Sequence, residues 1–256
     1  MRKVLIDGLG VRYGSRPIFS GITADFHGGE TVSVIGGNGA GKTTFLKALA
    51  GLVPHDGTVM LEEEGVRRPL DAKVAYVPQL TSVTSRLTVF EMVLLGLARG
   101  LGWRVTPEIH DRVDRTLHAM GIDRYANEPV ASLSGGQKQL VFMAQAFVSE
   151  PTVLLLDEPT SALDLRHQLI VMNAARDYAR KTGAVTIAVV HDLLAASRFS
   201  DRLMLLGEGE LQCFDTPEVV LSPERLEAVY RVSVSVENTR AGFRQVVPIK
   251  PLDDDK

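Results

Sequence analysis

The chain has 256 residues, of which 45% are hydrophobic and 23% are charged, and its net charge is -3 at pH 7. This composition is ordinary for a soluble globular protein with a substantial core. The charge gives no global basic field, so composition alone offers no reason to expect a nucleic-acid partner. No apolar run approaches the roughly 18 to 20 residues of a membrane span, and we expect any membrane work to go through a partner.

Two strands are predicted near the start of the chain, at residues 4–6 and 21–26, because apolar and polar residues alternate there. The stretch from Gly8 to Ser20 is rich in turn-forming residues and is predicted to connect them. Tyr13 lies in this connection. Its ring either stacks on an adenine base or lies half-buried at the surface, and the glycine-rich loop that follows it in sequence favours stacking.

A glycine-rich loop follows the β-branched run 31–35 and precedes helical apolar spacing at 45–50. It matches the pattern G-x-x-x-x-G-K-[ST], in which backbone N–H groups surround a phosphate at a helix N-terminus. Lys42 would reach the β- and γ-phosphates, and the Thr43 hydroxyl would bind Mg²⁺. The residues predicted to bind nucleotide are Gly36, Gly37, Asn38, Gly39, Ala40, Gly41, Lys42, Thr43 and Thr44.

Two further strands are predicted at 57–62 and 73–77, the second of which is ended by Pro78. Gln79 follows at once. It is either a solvated loop residue or an amide that reaches the nucleotide's metal ion and the attacking water. The physics of the sequence leaves both alternatives open.

Helical patterns begin after this strand. A capping box at Thr88 starts one helix, and Thr106 with Pro107 starts another. A second capping box, S-x-x-Q, is formed by Ser134 and Gln137.

The helix that starts at this second capping box carries Gly135 and Gly136 in its first turn. Glycine costs about 1 kcal/mol relative to alanine in a helix. One explanation for two glycines in the first turn is a flexible helix start. The one we favour is a positive helix end that is kept clear of side chains so that a phosphate can approach.

The apolar run 153–156 is typical of a central parallel strand that is covered on both faces. Asp157 and Glu158 follow at its carboxyl end, the edge where open α/β sheets gather nucleotide sites. They either begin the next loop or face Mg²⁺ and water, and the phosphate loop favours the second. His191 follows another buried strand at 184–190 and is either a structural residue or a contact to the γ-phosphate.

The rest of the chain predicts a helix and two hairpins. The helix covers 165–181, and the first hairpin pairs 202–206 with 210–214. Two short helices follow, capped by Thr216 and Ser222 ahead of prolines. A final hairpin is predicted near 232–236 and 243–249.

Taken in order, these motifs resemble the nucleotide-binding subunit of an ABC transporter over nearly the whole chain. The matching segments lie at 36–44, 76–79, 133–137, 153–158 and 161–164, followed by His191. The resemblance implies an α/β fold: a P-loop NTPase core with a mostly parallel central sheet, an N-terminal antiparallel β subdomain and an inserted α-helical subdomain. It implies one domain over 1–256, divided into a core (1–80 and 151–215), a helical subdomain (81–150) and C-terminal helices and hairpin (216–256).

The resemblance also implies roles for individual residues. Tyr13 would stack on adenine, Glu158 would be the general base, and His191 would be the γ-phosphate switch. The family signature would be Ser134, Gly135, Gly136 and Gln137. The residues near Mg²⁺ would be Thr43, Gln79 and Asp157, with Gln79 also linked to catalysis and coupling. Asp164 would belong to a loop, 161–164, that reaches across a dimer and contacts the nucleotide.

The same resemblance implies partners. Two copies of the chain would enclose two ATP molecules, because the signature helix of one subunit covers the nucleotide bound to the other. Integral-membrane permease subunits and a substrate-binding protein would complete an importer, with this subunit peripheral at the cytoplasmic face of the inner membrane and no nucleic acid involved. The segments 164–168, 216–224 and 229–230 are similar to importers of ferric siderophores, haem and cobalamin.

Some positions depart from the family pattern. Gly37 stands where proline is common, Thr43 where serine is common, and Lys138 where arginine is more frequent. Gln145 replaces an arginine under the signature helix, where it would alter either packing or communication with the nucleotide. The first three substitutions conserve the chemistry.

Three other functions use some of the same motifs. One is an ABC ATPase for another cargo or for export, and a second is a soluble ABC-type ATPase of DNA repair, translation or cofactor assembly. The second class usually has a coiled-coil insertion or two fused halves, and neither pattern occurs here. A third, a small-molecule kinase, leaves the signature stretch and His191 unexplained.

Overall fold

The computed structural model describes residues 2–70, 73–79, 85–100, 105–161 and 163–252. The first half of the chain contains β1 (Arg2–Tyr13), β2 (Arg16–His27), β3 (Thr31–Gly36), α1 (Lys42–Leu49), β4 (Asp56–Glu63), β5 (Val66–Pro69), β6 (Val74–Val77), α2 (Val89–Leu94) and α3 (Pro107–Ala119). The second half contains α4 (Gly135–Phe147), β7 (Val153–Asp157), α5 (Leu165–Thr182), β8 (Val185–Val189), α6 (Leu193–Phe199), β9 (Arg202–Gly207), β10 (Glu210–Asp215), α7 (Pro217–Val220), α8 (Pro223–Tyr230), β11 (Val232–Asn238) and β12 (Arg244–Pro251). None of the helices in these described ranges has the length and apolar character needed to cross a membrane.

The central sheet carries the order β10-β9-β3-β8-β7-β6. All its neighbours pair in parallel except β10, which forms an antiparallel hairpin with β9. Strands β7 and β8 are buried along their whole length, as expected for parallel strands covered on both faces. The prediction of a mostly parallel sheet is confirmed.

A second, antiparallel sheet has the order β2-β1-β4-β5 and is formed mainly by the N-terminal part of the chain. The predicted turn-rich connection from Gly8 to Ser20 is wrong: β1 and β2 are long strands joined by a turn at residues 14–15. The glycines mark irregular pairing within the strands, because the register of β1 against β2 shifts between Ile6 and Leu9. Gly8, which lies at this register shift, has φ +63°. Glycine adopts this conformation at little steric cost, and in a strand it marks a bulge.

Helices α2, α3 and α4 lie between β6 and β7 in the chain and pack on one another, as predicted for an inserted helical region. The Thr88 capping box is present: its side chain accepts from Glu91 N, and the Glu91 carboxylate accepts from Thr88 N. Thr106 occupies the N-cap of α3 with Pro107 at the first helical position. These helices share a hydrophobic core with one face of the central sheet.

The C-terminal part of the chain returns to the central sheet. Helices α7 and α8 begin at the predicted prolines, but the expected hydroxyl caps from Thr216 and Ser222 do not form in the described structure. The Ser222 hydroxyl instead accepts from the Arg225 guanidinium at 3.3 Å. The final hairpin, β11–β12, forms a separate two-stranded sheet that packs against α6 and α8.

Candidate active site

The glycine-rich loop connects the end of β3 to the start of α1. Gly36, Gly39 and Gly41 adopt positive φ values of 148°, 80° and 89°, which residues with a side chain rarely adopt. Gly41 is the N-cap of α1, and a Cβ placed on it would lie 3.0 Å from Ile18 Cγ2. The loop therefore brings backbone N–H groups to a helix N-terminus without side chains in the way, which is the arrangement that binds phosphate.

Lys42 folds back over this loop. Its ammonium group donates to Gly36 O at 2.8 Å and to Gly37 O at 2.9 Å, and the residue is 6% exposed. The pKa of Lys42 lies below its usual value. Burial is the largest cause, and the negative charges of Glu158 and then Asp157 oppose it. A buried ammonium group held over a loop of this kind can donate charge-assisted hydrogen bonds to a phosphate.

Asp157, at the carboxyl end of β7, accepts two hydroxyl hydrogen bonds. Thr43 Oγ1 donates to its Oδ1 at 2.9 Å, and the Tyr76 hydroxyl donates to its Oδ2 at 2.9 Å. Burial, together with the Asp157 charge, raises the pKa of Tyr76, so this phenol keeps its proton and remains a donor. The role of Tyr76 is not predicted from the sequence, because a tyrosine inside a short strand carries no local signal of its partner.

Glu158, the next residue, connects two other predicted site residues. Gln79 Nε2 donates to Glu158 Oε2 at 2.6 Å, and His191 Nε2 lies 2.7 Å from Glu158 Oε1. His191 therefore donates from Nε2 if the carboxylate is ionised. The structure thus brings together three residues that lie after three different strands.

The signature stretch shares no hydrogen bond with this group within the described part of the chain. The Ser134 capping box is confirmed: Gln137 N donates to Ser134 Oγ, and Ser134 N donates to Gln137 Oε1. Gln137 Nε2 also donates to the Tyr125 hydroxyl at 2.8 Å. Among the described residues, no hydrogen bond joins Ser134–Gln137 to the glycine-rich loop.

His167, a residue that sequence analysis did not single out, holds the start of α4 against the start of α5. A Cβ added to Gly136 would lie 2.5 Å from His167 Cδ2 and Cγ. The His167 ring nitrogen Nδ1 lies 2.9 Å from both carboxylate oxygens of Asp164, which also caps α5 by accepting from His167 N. The backbone N–H of His167, and then its side chain, lower the pKa of Asp164.

Three remaining predictions concern Tyr13, the segment 161–164 and Gln145. Tyr13 lies at the end of β1 and is 51% exposed, so its ring is accessible to a ligand. In the segment 161–164, Ala162 lies outside the described residues. Gln145 packs against α2, with its Nε2 3.6 Å from Met92 Sδ, and its backbone oxygen would lie 2.0 Å from a Cβ on Gly96.

A family model described as "ABC transporter" matches residues 19–161. The chain belongs to the ABC transporter family. An uncharacterized ABC transporter ATP-binding protein of Methanocaldococcus jannaschii is 38% identical over 95% of this chain and 97% of its own. The hemin import ATP-binding protein HmuV of Mesorhizobium japonicum is 36% identical over 94% of both chains. The cobalamin import ATP-binding protein BtuD of Halobacterium salinarum is 34% identical over 97% of this chain and 63% of its own.

Solved structures agree with this assignment. A chain of a metal-chelate type ABC transporter in an inward-facing conformation is similar, with a TM-score of 0.85 and 26% identity over 97% of this chain and 98% of that one. An ATP-binding cassette of an ABC transporter in its ADP conformation has a TM-score of 0.77 at 18% identity and supports the fold alone. This ABC subunit is therefore an ATP-binding ATPase, and both the predicted fold and the predicted enzyme class are confirmed.

The two glycines at the start of α4 lead to opposite expectations for stability in this ABC subunit. Gly136→Ala should cost about 1–3 kcal/mol, because its Cβ overlaps the His167 ring. Gly135→Ala should be neutral or stabilise the fold by up to about 1 kcal/mol, because no atom lies within 4 Å of its Cβ and alanine favours the helix. Urea denaturation of both variants measures the difference. Equal stabilities would contradict the close contact between Gly136 and His167.

Proposed function

We propose that this ATPase powers the uptake of a ferric siderophore, haem, iron or cobalamin through separate membrane subunits. The relatives named for hemin import and cobalamin import support this proposal. Their identity of 34–36% extends over at least 94% of this chain, well beyond the family match at residues 19–161. The C-terminal segment that is similar to such importers therefore lies within the shared region.

The observation that carries the catalytic assignment is the pair of contacts at Glu158. One carboxylate oxygen receives the Gln79 amide and the other lies against His191, beside the glycine-rich loop. A carboxylate oriented on both oxygens is suited to accept the proton of an attacking water. Glu158 is the general base, Gln79 and His191 orient it, and His191 also contacts the γ-phosphate.

Residues Gly36–Thr44 hold the phosphates through backbone N–H groups and Lys42, and Tyr13 stacks on the adenine. Asp157 is the better placed of the two adjacent carboxylates to bind Mg²⁺, since its oxygen already lies 2.9 Å from Thr43 Oγ1. Hydroxyl, carboxylate and amide oxygens are the ligands that Mg²⁺ prefers, so Thr43, Asp157 and Gln79 fit this ion. An Mg²⁺ ion held by these residues would supply positive charge to the β- and γ-phosphates.

The active unit is a homodimer. The start of α4, with Ser134, Gly135, Gly136 and Gln137, is a second helix end suited to phosphate, yet it is not joined to the glycine-rich loop of its own chain. A second copy related by a two-fold axis supplies this helix end to the nucleotide of the first, and Asp164 lies in the same interface.

Membrane permease subunits dock on the helical region, and a substrate-binding protein delivers the cargo to them. A groove of about 550 Å³ lies between β6, the turn after α2, and α4. Its lining includes Tyr76, Pro78 and Gln145, so a permease segment in it would lie next to the strand that ends before Gln79. The subunit is then peripheral at the cytoplasmic face of the inner membrane.

Glu158→Gln should retain ATP binding but lose turnover, because an amide cannot accept the proton of the water. The variant should also accumulate as an ATP-bound dimer. Phosphate release and size-exclusion chromatography with ATP measure the two effects. Lys42→Ala is the contrasting variant, since it should weaken ATP binding itself in a titration. Near-normal hydrolysis by Glu158→Gln would remove the role given to Glu158.

The homodimer can be tested by mixing two inactive variants. Lys42→Ala damages the phosphate loop of one chain, and Ser134→Arg blocks the signature helix of another. If signature helices act across the dimer, the mixture should regain hydrolysis, because each mixed dimer has one site with an intact loop and an intact helix. If each chain used its own helix, no mixed dimer would have an intact site and hydrolysis would not recover.

The cargo can be tested in cells of the source organism. Replacing the gene with the Glu158→Gln form should abolish uptake of labelled haem, ferric siderophore or cobalamin, and the wild-type gene should restore it. Unchanged uptake of all three would contradict the proposed cargo class. Copurification with nucleic acid, and without a multi-span membrane protein, would favour a soluble ABC ATPase instead.

A further inference from the structure

The C-terminal helix α8 contacts the glycine-rich loop through its last residue, Tyr230. The Tyr230 hydroxyl accepts a hydrogen bond from Gly36 N at 2.9 Å. The ring is partly buried, and burial raises the pKa of Tyr230 to about 12. The group is therefore a neutral phenol at physiological pH, and its oxygen is a constant partner for this backbone amide.

Gly36 is the residue at which the chain leaves β3 and begins the loop. It has φ +148°, and a Cβ on it would lie 2.2 Å from Leu206 O, so the position cannot carry a side chain. The carbonyl of Gly36 accepts from Lys42 Nζ at 2.8 Å. Tyr230 and Lys42 thus hold the two peptide groups on either side of the Gly36 Cα atom.

Neighbours of Tyr230 fix the end of α8 in the same place. Val229 O would lie 3.7 Å from a Cβ on Gly37, and the Val229 side chain would lie 3.0 Å from a Cβ on Gly207. Arg231 ends the helix with φ +55°, and its Nη2 lies 3.3 Å from Glu208 Oε1. The packing of Val229 and Arg231 therefore fixes the end of α8, and this places the Tyr230 hydroxyl beside Gly36 N.

We propose that Tyr230 is a positioning residue for ATP binding, which acts by holding Gly36 so that the loop keeps its phosphate-binding conformation. This inference rests on the role proposed above for residues Gly36–Thr44. Tyr230 does not touch the nucleotide. Without its hydroxyl, the Gly36 N–H loses its partner and the loop populates other conformations. The apparent affinity for ATP then falls in proportion to the fraction of molecules that remain competent.

The chain offers a matched control for a test by Tyr230→Phe. The hydroxyl of Tyr178 donates to Pro151 O at 2.9 Å, and burial raises the pKa of Tyr178 to about 12 as well. Pro151 precedes β7, so this contact lies at the amino edge of the sheet, opposite to the nucleotide site. Tyr178→Phe therefore also removes one part-buried hydrogen bond between a phenol and the backbone, at a distance from the loop.

Tyr230→Phe should raise the dissociation constant for ATP by about three- to tenfold, the range expected for loss of one such hydrogen bond. The KM for ATP should rise in parallel, while kcat at saturating ATP stays within about twofold, because ATP restores the competent loop. Tyr178→Phe should lower the melting temperature without changing ATP affinity. Equal ATP affinities for the two variants would overturn the proposal.

Two further measurements separate the possible failures. If Lys42→Ala binds ATP as tightly as wild type, the proposed role of the loop fails; if only Tyr230→Phe binds normally, the loop stands and the inference about Tyr230 fails. Should Tyr230→Phe not fold, amide hydrogen exchange of the wild-type protein decides. The Gly36 amide should be protected, and rapid exchange of this amide in the folded protein would overturn the proposal.

Discussion

The site depends on four neighbouring strands that run in parallel and end at the same edge of the central sheet. In the order β3, β8, β7 and β6, the carboxyl ends of these strands carry the glycine-rich loop, His191, the Asp157–Glu158 pair and Gln79. Parallel strands expose their carboxyl ends on one side, so residues far apart in sequence meet there. Thr43 and Asp157, for example, are 114 positions apart and share a hydrogen bond.

The two adjacent carboxylates differ because the backbone changes direction between them. Asp157 is the last residue of β7, whereas Glu158 has φ +48°, a left-handed conformation that costs a residue with a side chain about 1–3 kcal/mol. The Glu158 carbonyl accepts from both Ser161 N and Ser161 Oγ, which stabilises this turn. As a result Asp157 is paired with the partly buried hydroxyls of Thr43 and Tyr76, and Glu158 is turned toward Gln79 and His191. Asp157 pairs with Thr43 of the glycine-rich loop, and Glu158, the proposed general base, is held by Gln79 and His191.

Features encoded in short segments could be predicted from the sequence. The buried strands before Asp157 and His191, and the capping boxes at Thr88 and Ser134, have local patterns that tertiary packing did not override. The glycines near Gly8 were misleading, since a bulge inside a strand and a turn between strands use the same residue type. The partners of Tyr76, His167 and Tyr230 lie on distant elements, and no local pattern specifies them.

His167 connects the start of α4 to the start of α5, because it packs on Gly136 and its ring nitrogen lies against the Asp164 carboxylate. The ring of His167 fills the space where a side chain of Gly136 would lie, and its nitrogen is bound to the carboxylate that caps α5. Close packing of this kind leaves no room for one helix start to slide past the other. Because α5 follows Glu158 closely in sequence, the helix end proposed to serve the partner's nucleotide packs against the helix that comes after the carboxylate proposed as general base. In the proposed dimer, this packing would connect the two nucleotide sites to each other.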